Sequence, residues 1–182
     1  MIYFTSDLHL GHSNALHFSN RPFADVDEEA RVLIGNINNT CSPKDDLYIL
    51  GDFAYRIPVD QCNTYLKQIK PRIHMLRGNH DKDYDESLLV EYRDYIRLKY
   101  EHRIYVLFHY PIESWDRMRY GSYMIHGHIH SEGRSYNERM RAEGRRRYDV
   151  GVDANDYMPV CIQTIVNFCG EFHGIKEGKE YE

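Results

Sequence analysis

Five polar blocks, each set directly after a short apolar run, constrain this chain more than any other feature. Asp7-Leu8-His9 follows Ile2 to Thr5, Gly51-Asp52 follows Leu47 to Leu50, and Gly78-Asn79-His80-Asp81 follows Ile73 to Leu76. His109 closes the run from Arg103 to Phe108, and Gly127-His128-Ile129-His130 comes just after Tyr123 to Ile125. Short β-prone runs bounded by glycine and polar residues read as strands entering loops. In α/β proteins, ligands bind where the carboxyl ends of strands open onto loops. Five separate segments therefore deliver Asp, Asn and His to one rim. Asp7 and His9 are two residues apart, as are His128 and His130, which in extended backbone points each pair one way. The glycines at 51, 78 and 127 allow tight turns and close backbone approach.

Amphipathic stretches alternate with these runs, which gives the α/β class. Val26, Ala30, Leu33, Ile34 and Ile37 share one face of a helix predicted over 25–38. Val59, Cys62, Leu66 and Ile69 mark a second helix between Pro58 and Pro71, and Ile162, Ile165, Val166 and Cys169 a closing one after Pro159. Tyr95–Tyr100 and Arg103–Phe108 read as a hairpin turning at Glu101-His102. Tyr123–Ile125 and Tyr148–Val152 are further strands, and 131–147 lacks apolar periodicity and reads as a loop. A chain of 182 residues suits a single domain over 1–182, with the polar stretch 170–182 as a frayed tail.

Hydrophobic residues make up 42% and charged residues 28%, which excludes a disordered or fibrous chain. The longest apolar run, Ile104 to Phe108, is far short of a membrane span, and the first residues show no signal peptide. Cys41, Cys62, Cys161 and Cys169 lack zinc spacing, which fits a reduced protein of the cytoplasm with buried thiols. The formal charge of −5 gives no general attraction to nucleic acid or membrane.

Asp7, His9, Asp52, Asn79, His109, His128 and His130 are too many ligands for one tetrahedral ion. They suit two five- or six-coordinate divalent ions sharing a carboxylate. Mixed oxygen and imidazole donors without thiolate favour manganese, iron or zinc over magnesium or calcium. Paired ions roughly 3.5–4 Å apart clamp phosphate oxygens and lower the pKa of a bridging water.

These blocks, in this order from residue 7 to 130, resemble the motif set of the calcineurin-like metallophosphoesterases. The resemblance implies two stacked mixed β-sheets flanked by helices, a four-layer sandwich. It implies a dinuclear phosphoester hydrolase in which a metal-bound hydroxide attacks phosphorus. One ion would take Asp7, His9 and His130, the other Asn79, His109 and His128, with Asp52 bridging. Manganese or iron is expected, with zinc and nickel as alternatives. His80 matches the family's non-ligand histidine, placed to protonate the leaving oxygen or bind a phosphate oxygen, with Asp81 orienting its imidazole. After Asp52 the chain reads Phe-Ala-Tyr-Arg, without the Asp-Arg-Gly of the family's serine/threonine protein phosphatases.

Substrate contacts are expected from His12 and Asn14, just past the first block, and from Arg77. The 131–147 segment, with Arg145, Arg146 and Arg147 at its end, could overhang the site and grip a polyanion; a solvated loop explains it equally well. Tyr110, Trp115, Tyr120 and Tyr123 could stack on a base but read first as core or rim. His126 reads as buried or supporting a ligand, and His17, His74, His102 and His173 as ordinary. The favoured substrate is a phosphodiester of a nucleotide or nucleic acid. A phosphomonoesterase of small phosphorylated metabolites is the alternative, and a non-catalytic metal-bound or nucleic-acid-binding scaffold a weaker one, since no motif residue is missing.

Overall fold

Short strands, most of them buried on both faces, form two sheets that meet in one core. The structure is a computed structural model and describes residues 1–170. The expected tail, Gly170 apart, and His173 lie outside the described residues. In chain order the elements are β1 Ile2–Thr5, α1 Ser13–Phe18, α2 Val26–Thr40, β2 Asp46–Leu50, α3 Val59–Leu66, β3 Arg72–Leu76 and β4 Glu91–Arg93. There follow β5 Tyr95–Tyr100, β6 Arg103–Phe108, β7 Tyr123–His126, α4 Ser135–Ala142, β8 Arg147–Asp149, β9 Val160–Cys161 and α5 Ile162–Cys169.

The first sheet has the order β4-β3-β2-β1-β9, parallel except for β9; the second has β5-β6-β7-β8, parallel except for β5. Both are therefore mixed, as the resemblance implied. Phe4, Tyr48, Leu50 and Leu76 of the first sheet meet Tyr105, Leu107, Tyr123 and Ile125 of the second in the central core. The alternate residues Leu47, Ile49, Ile73 and Met75 face the other way, against Leu33, Ile34 and Ile37 of α2 and Cys62 and Leu66 of α3. Burial on both faces explains why β2 and β3 read as continuous apolar runs rather than alternating ones. A smaller cluster of Val106, Met124 and Trp115 covers the outer face of the second sheet.

Helix α2 starts where Asp25 caps the backbone N–H groups of Asp27 and Glu28, and three acidic residues occupy its first turn. The hairpin turns where expected, with Glu101 and His102 both at positive φ. Two expectations need correction. The segment 131–147 is not all loop, because α4 occupies Ser135–Ala142 and buries only Asn137 and Met140. So narrow a buried face leaves no apolar stripe for periodicity to detect. The strand expected over 148–152 runs from Arg147 and stops at Asp149, whose carboxylate accepts the Gly151 N–H at 2.8 Å and folds the chain into a short 3-10 turn. All four cysteines are free thiols, Cys41 and Cys62 buried and the other two partly so. Among the described residues no helix is long and apolar enough to cross a membrane.

Candidate dinuclear metal centre

The loops after β1 and β2 run side by side, the backbone N–H groups of Asp7, His9 and Leu10 donating to the carbonyls of Gly51, Asp52 and Phe53. Asp7 and His9 do not share a direction through extended backbone, as the sequence suggested. Asp7, His9, Asp52, His128 and His130 all sit in the left-handed region, with φ between 45° and 74°. Side chains other than glycine avoid that region unless surrounding structure enforces it. The loops also approach one another closely. A Cβ on Gly127 would lie 2.0 Å from Ser6 Oγ and 2.3 Å from Asp7 Oδ2, and one on Gly78 2.2 Å from Asp52 Oδ1.

Two triads result. Asp7, His9 and His130 bring one ligand atom each within 4.8 Å of one another, and so do Asp52, His109 and His128. Asp52 joins them: its Oδ2 lies 3.5 Å from His9 Nε2 and 3.6 Å from His109 Nε2. Its Oδ1 accepts the backbone N–H of His80 at 2.9 Å. Asn79 completes the second group, its Oδ1 standing 3.0 Å from His109 Nε2.

The donor chemistry fits cations. His109 Nδ1 donates to the Leu50 carbonyl at 2.8 Å, which leaves Nε2 as a lone pair. That lone pair faces His128 Nδ1 at 3.2 Å as well as the Asn79 and Asp52 oxygens. His130 Nδ1 likewise donates to Asp153 Oδ2 at 2.8 Å, turning Nε2 toward His9 Nε2 at 3.1 Å. Asp7 Oδ1 is buried without a hydrogen-bond partner, 3.9 Å from His130 Nε2. Acceptors gathered with so few protons between them repel one another unless a positive charge lies among them. Burial pushes the Asp7 carboxyl up to about 8 and, with the neighbouring His130, His9 down to about 2. A cation beside them would stabilise the Asp7 carboxylate and accept the lone pair of a His9 that burial keeps neutral. Oxygen and imidazole donors without thiolate suit a transition metal of intermediate hardness.

Of the supports of this centre, the sequence points only to His126. Arg21 spends its guanidinium on the carbonyls of Asp7 and Leu8 and on the carboxylates of Glu29 and Asp153, all at 2.8–2.9 Å. It thereby fixes both the first loop and the residue that orients His130. His126 is buried, donating from Nδ1 to the Gly127 carbonyl and accepting from the Tyr136 hydroxyl at 3.1 Å. Asp149 accepts from Ser131 Oγ at 2.5 Å and holds the start of the segment after His130.

Asp81 requires a correction. Its oxygens accept the N–H groups of Asp52, Gly78 and Phe53 and the hydroxyl of Tyr84, at 2.7–2.9 Å. The carboxylate faces the two loops that present Asp52 and Asn79, so it buttresses them rather than orienting His80. The exposed His80 ring packs edge-on to Tyr55, centroids 4.8 Å apart, and lies 5.5 Å from the His9 ring. His12 stacks on the same Tyr55 at 3.7 Å. Tyr55, rather than Asp81, is thus the side chain packed against the His80 imidazole.

The remaining expected contacts divide. His12 lies beside the centre, 5.4 Å from the His9 ring, and Asn14 is exposed on α1. Arg77 is engaged by Asp83 at 2.8 Å and lies over the Tyr92 ring. Arg145 and Arg147 pair with Glu113, and Arg146 bonds the Tyr123 hydroxyl and the Gly170 carbonyl. These three stand where β8 begins, at the pole opposite the carboxyl ends of β6 and β7 from which His109 and His128 project. They do not overhang the metal centre. His74, which has no partner in sequence, bridges the carboxylates of Glu91 and Asp46 across the first sheet.

Comparison with known proteins agrees with this geometry. The family model for calcineurin-like phosphoesterases matches residues 1–157. An uncharacterized protein of Methanocaldococcus jannaschii is 31% identical over 166 residues, covering 91% of this chain and 89% of its own. The crystal structure of a protein of unknown function from Aquifex aeolicus superposes with a TM-score of 0.67 at 28% identity, over 88% of this chain and 94% of that one. A Pseudomonas putida nuclease gives a TM-score of 0.46 at 20% identity, over 72% of this chain and 62% of its own.

Proposed function

Because this chain belongs to the calcineurin-like phosphoesterase family, hydrolases that act on phosphoesters, we propose that it cleaves phosphodiesters of nucleotides or nucleic acid. Asp7, His9 and His130 would hold one divalent ion and Asn79, His109 and His128 a second, with Asp52 shared and manganese or iron as the metals. When bound, such a pair neutralises phosphoryl oxygens and lowers the pKa of a water. The observation that carries the reading is the single Asp52 oxygen, 3.5 and 3.6 Å from imidazole nitrogens of two separate groups.

The protein's own residues supply orientation and a proton. Leu50 and Asp153 fix the His109 and His130 tautomers so that each Nε2 presents a lone pair inward. Asp52 Oδ1 anchors the His80 backbone while Tyr55 backs its ring, leaving an imidazole exposed at the rim. An alkoxide leaving group needs a proton, and this imidazole is the donor we assign. Tyr110 flanks the centre on the His128 side, ring centroids 4.5 Å apart, and His12 stacked on Tyr55 flanks the other. Aromatic walls on both sides favour a nucleobase-bearing substrate over a small sugar phosphate.

A leaving-group series on manganese-loaded protein tests this. General acid catalysis contributes about 10²–10⁴-fold, and the factor shrinks as the leaving group becomes less basic. His80→Ala should cripple hydrolysis of an alkyl diester, slow an aryl diester much less, and retain its metal. Equal losses on both substrates would remove the proton-donor role. Hydrolysis of phosphomonoesters alone would replace the diester reading.

A further inference from the structure

The second sheet carries a basic cavity that the metal centre does not use. It opens beside the amino ends of β6, β7 and β8, has a volume of about 500 Å³, and is lined by Arg97, Lys99, Arg103, Arg117 and Arg146. Among the described residues two carboxylates accompany them: Asp116 holds Arg97 at 2.6 Å, and Glu101 lies 3.9 Å from Arg103. Five cations around one concavity, in a chain of net charge −5, set a local field opposed to that of the whole molecule. Tyr120 lines the same cavity and is 79% exposed, with the Arg117 guanidinium 5.2 Å over its ring.

An exposed path joins this cavity to the metal centre. Edge strand β5 turns Tyr95, Arg97 and Lys99 outward while Ile96, Leu98 and Tyr100 pack inward. Lys99 pairs with Ile104 at the cavity, and Tyr95 pairs with Phe108, the residue before His109. From there rings continue to the metal rim: Tyr95 to Phe108 at 6.5 Å, Phe108 to Tyr110 at 5.5 Å and Tyr110 to His128 at 4.5 Å. At the usual rise of a strand, Tyr95 and Lys99 are about 13 Å apart. No mononucleotide touches both ends of such a path.

We propose that this face binds single-stranded nucleic acid and leads it to the metal centre. Tyr110, Tyr95 and Tyr120 stack bases, and Lys99, Arg103 and Arg117 hold phosphates. Aromatic platforms beside a positive groove grip single strands without sequence preference, because every unpaired base offers a face. A duplex hides those faces, so the exposed tyrosines favour a single strand. The inference rests on the phosphodiesterase reading and specifies its substrate as a strand rather than a free nucleotide.

Fluorescence anisotropy on the manganese-loaded protein tests it, with a labelled ten-nucleotide thymidine strand carrying phosphorothioate linkages. The triple variant Lys99→Ala, Arg103→Ala, Arg117→Ala should weaken binding at least tenfold. It should also flatten the salt dependence by about 0.7 in log–log slope for each cation removed. Tyr120→Ala should weaken binding about fivefold or more with the slope unchanged. Hydrolysis of bis(p-nitrophenyl) phosphate, too small to reach the cavity, should keep its kcat and KM in both variants. A wild-type protein that hydrolyses the small diester but does not bind the strand overturns the inference and spares the phosphodiesterase reading. A protein that binds the strand but hydrolyses no diester overturns that reading and leaves the strand site standing. Equal binding of strand and duplex, with Tyr120→Ala silent, overturns the single-strand assignment.

Discussion

Replacing Asp81 by asparagine separates a buttress from a partner of His80. One carboxylate oxygen accepts from the backbone of Asp52 and Gly78, both at 2.8 Å; the other accepts from Phe53 N–H at 2.9 Å and the Tyr84 hydroxyl at 2.7 Å. An amide keeps one acceptor and turns the other into a donor. The cheaper orientation points the NH₂ at Phe53 and Tyr84, because the Tyr84 hydroxyl can turn and accept. The Phe53 N–H is then orphaned, at about 1–3 kcal/mol. The bonds from Asp52 and Gly78 lose their charge assistance and roughly half their strength. Together these effects cost roughly 2–4 kcal/mol, lowering Tm by roughly 5–15 °C for a chain of this size. This side chain ties together the loops carrying Asp52 and Asn79, so metal content should fall with stability. Calorimetry with elemental analysis measures both. An unchanged Tm with full metal and a reduced kcat would refute the reasoning and restore Asp81 as the partner of the His80 imidazole.

Asp52→Asn should lower metal content at both positions, because one oxygen faces both groups, whereas His130→Ala should disturb one; two ions retained per Asp52→Asn chain would exclude sharing. Gly127→Ala drives a methyl into Ser6 and Asp7, and overpacking typically costs about 1–3 kcal/mol. Its melting curve should shift down and its metal content should drop, and a wild-type melt would show that the loop can give way. Arg145→Ala with Arg147→Ala breaks ion pairs to the exposed Glu113, each worth about 0–1 kcal/mol. KM for a small diester should not move, and a several-fold rise would return these arginines to the active site.

The motif blocks were legible because each one states its own chemistry. Gly-Asn-His-Asp and Gly-His-Ile-His need no fold to look like ligands, and the apolar runs before them fixed their place at strand ends. Most of the supports were illegible for the opposite reason. Arg21 and Asp153 are single charged residues, 132 positions apart, meeting only in the folded chain. Nothing local distinguishes Arg21 from Arg31, which pairs loosely with Glu28 on the surface of α2. Asp81 misled through proximity: a carboxylate next to a histidine suggests a pair, yet its neighbours along the loop, Gly78 and Tyr84, and the backbone of Asp52 and Phe53 claim every acceptor position it has. For the arginines of 145–147, sequence nearness to His130 left the metal rim and a solvated loop equally open, and the intervening helix α4 excludes the rim by carrying the chain back to the far end of the sheet.

That helix and those supports share a physical purpose with the backbone strain at the rim. Five candidate ligands hold left-handed conformations, each costing of order 1–3 kcal/mol for a residue with a side chain. Their sum is comparable to the whole stability of an ordinary domain, so they persist only where other interactions dictate the loop path. Arg21 holds the first loop, Asp81 the second and third, and Asp149 with Ser131 the segment beyond His130. Each support bonds mainly to backbone or to another support, and none occupies an inward ligand position. Supports of this kind hold the loops as a rim whose lone pairs already converge, so little ordering is left to be done when a cation arrives. Loss of a support should therefore act on metal affinity before it acts on the chemical step, which separates supports from ligands and from His80 by measurement rather than by position.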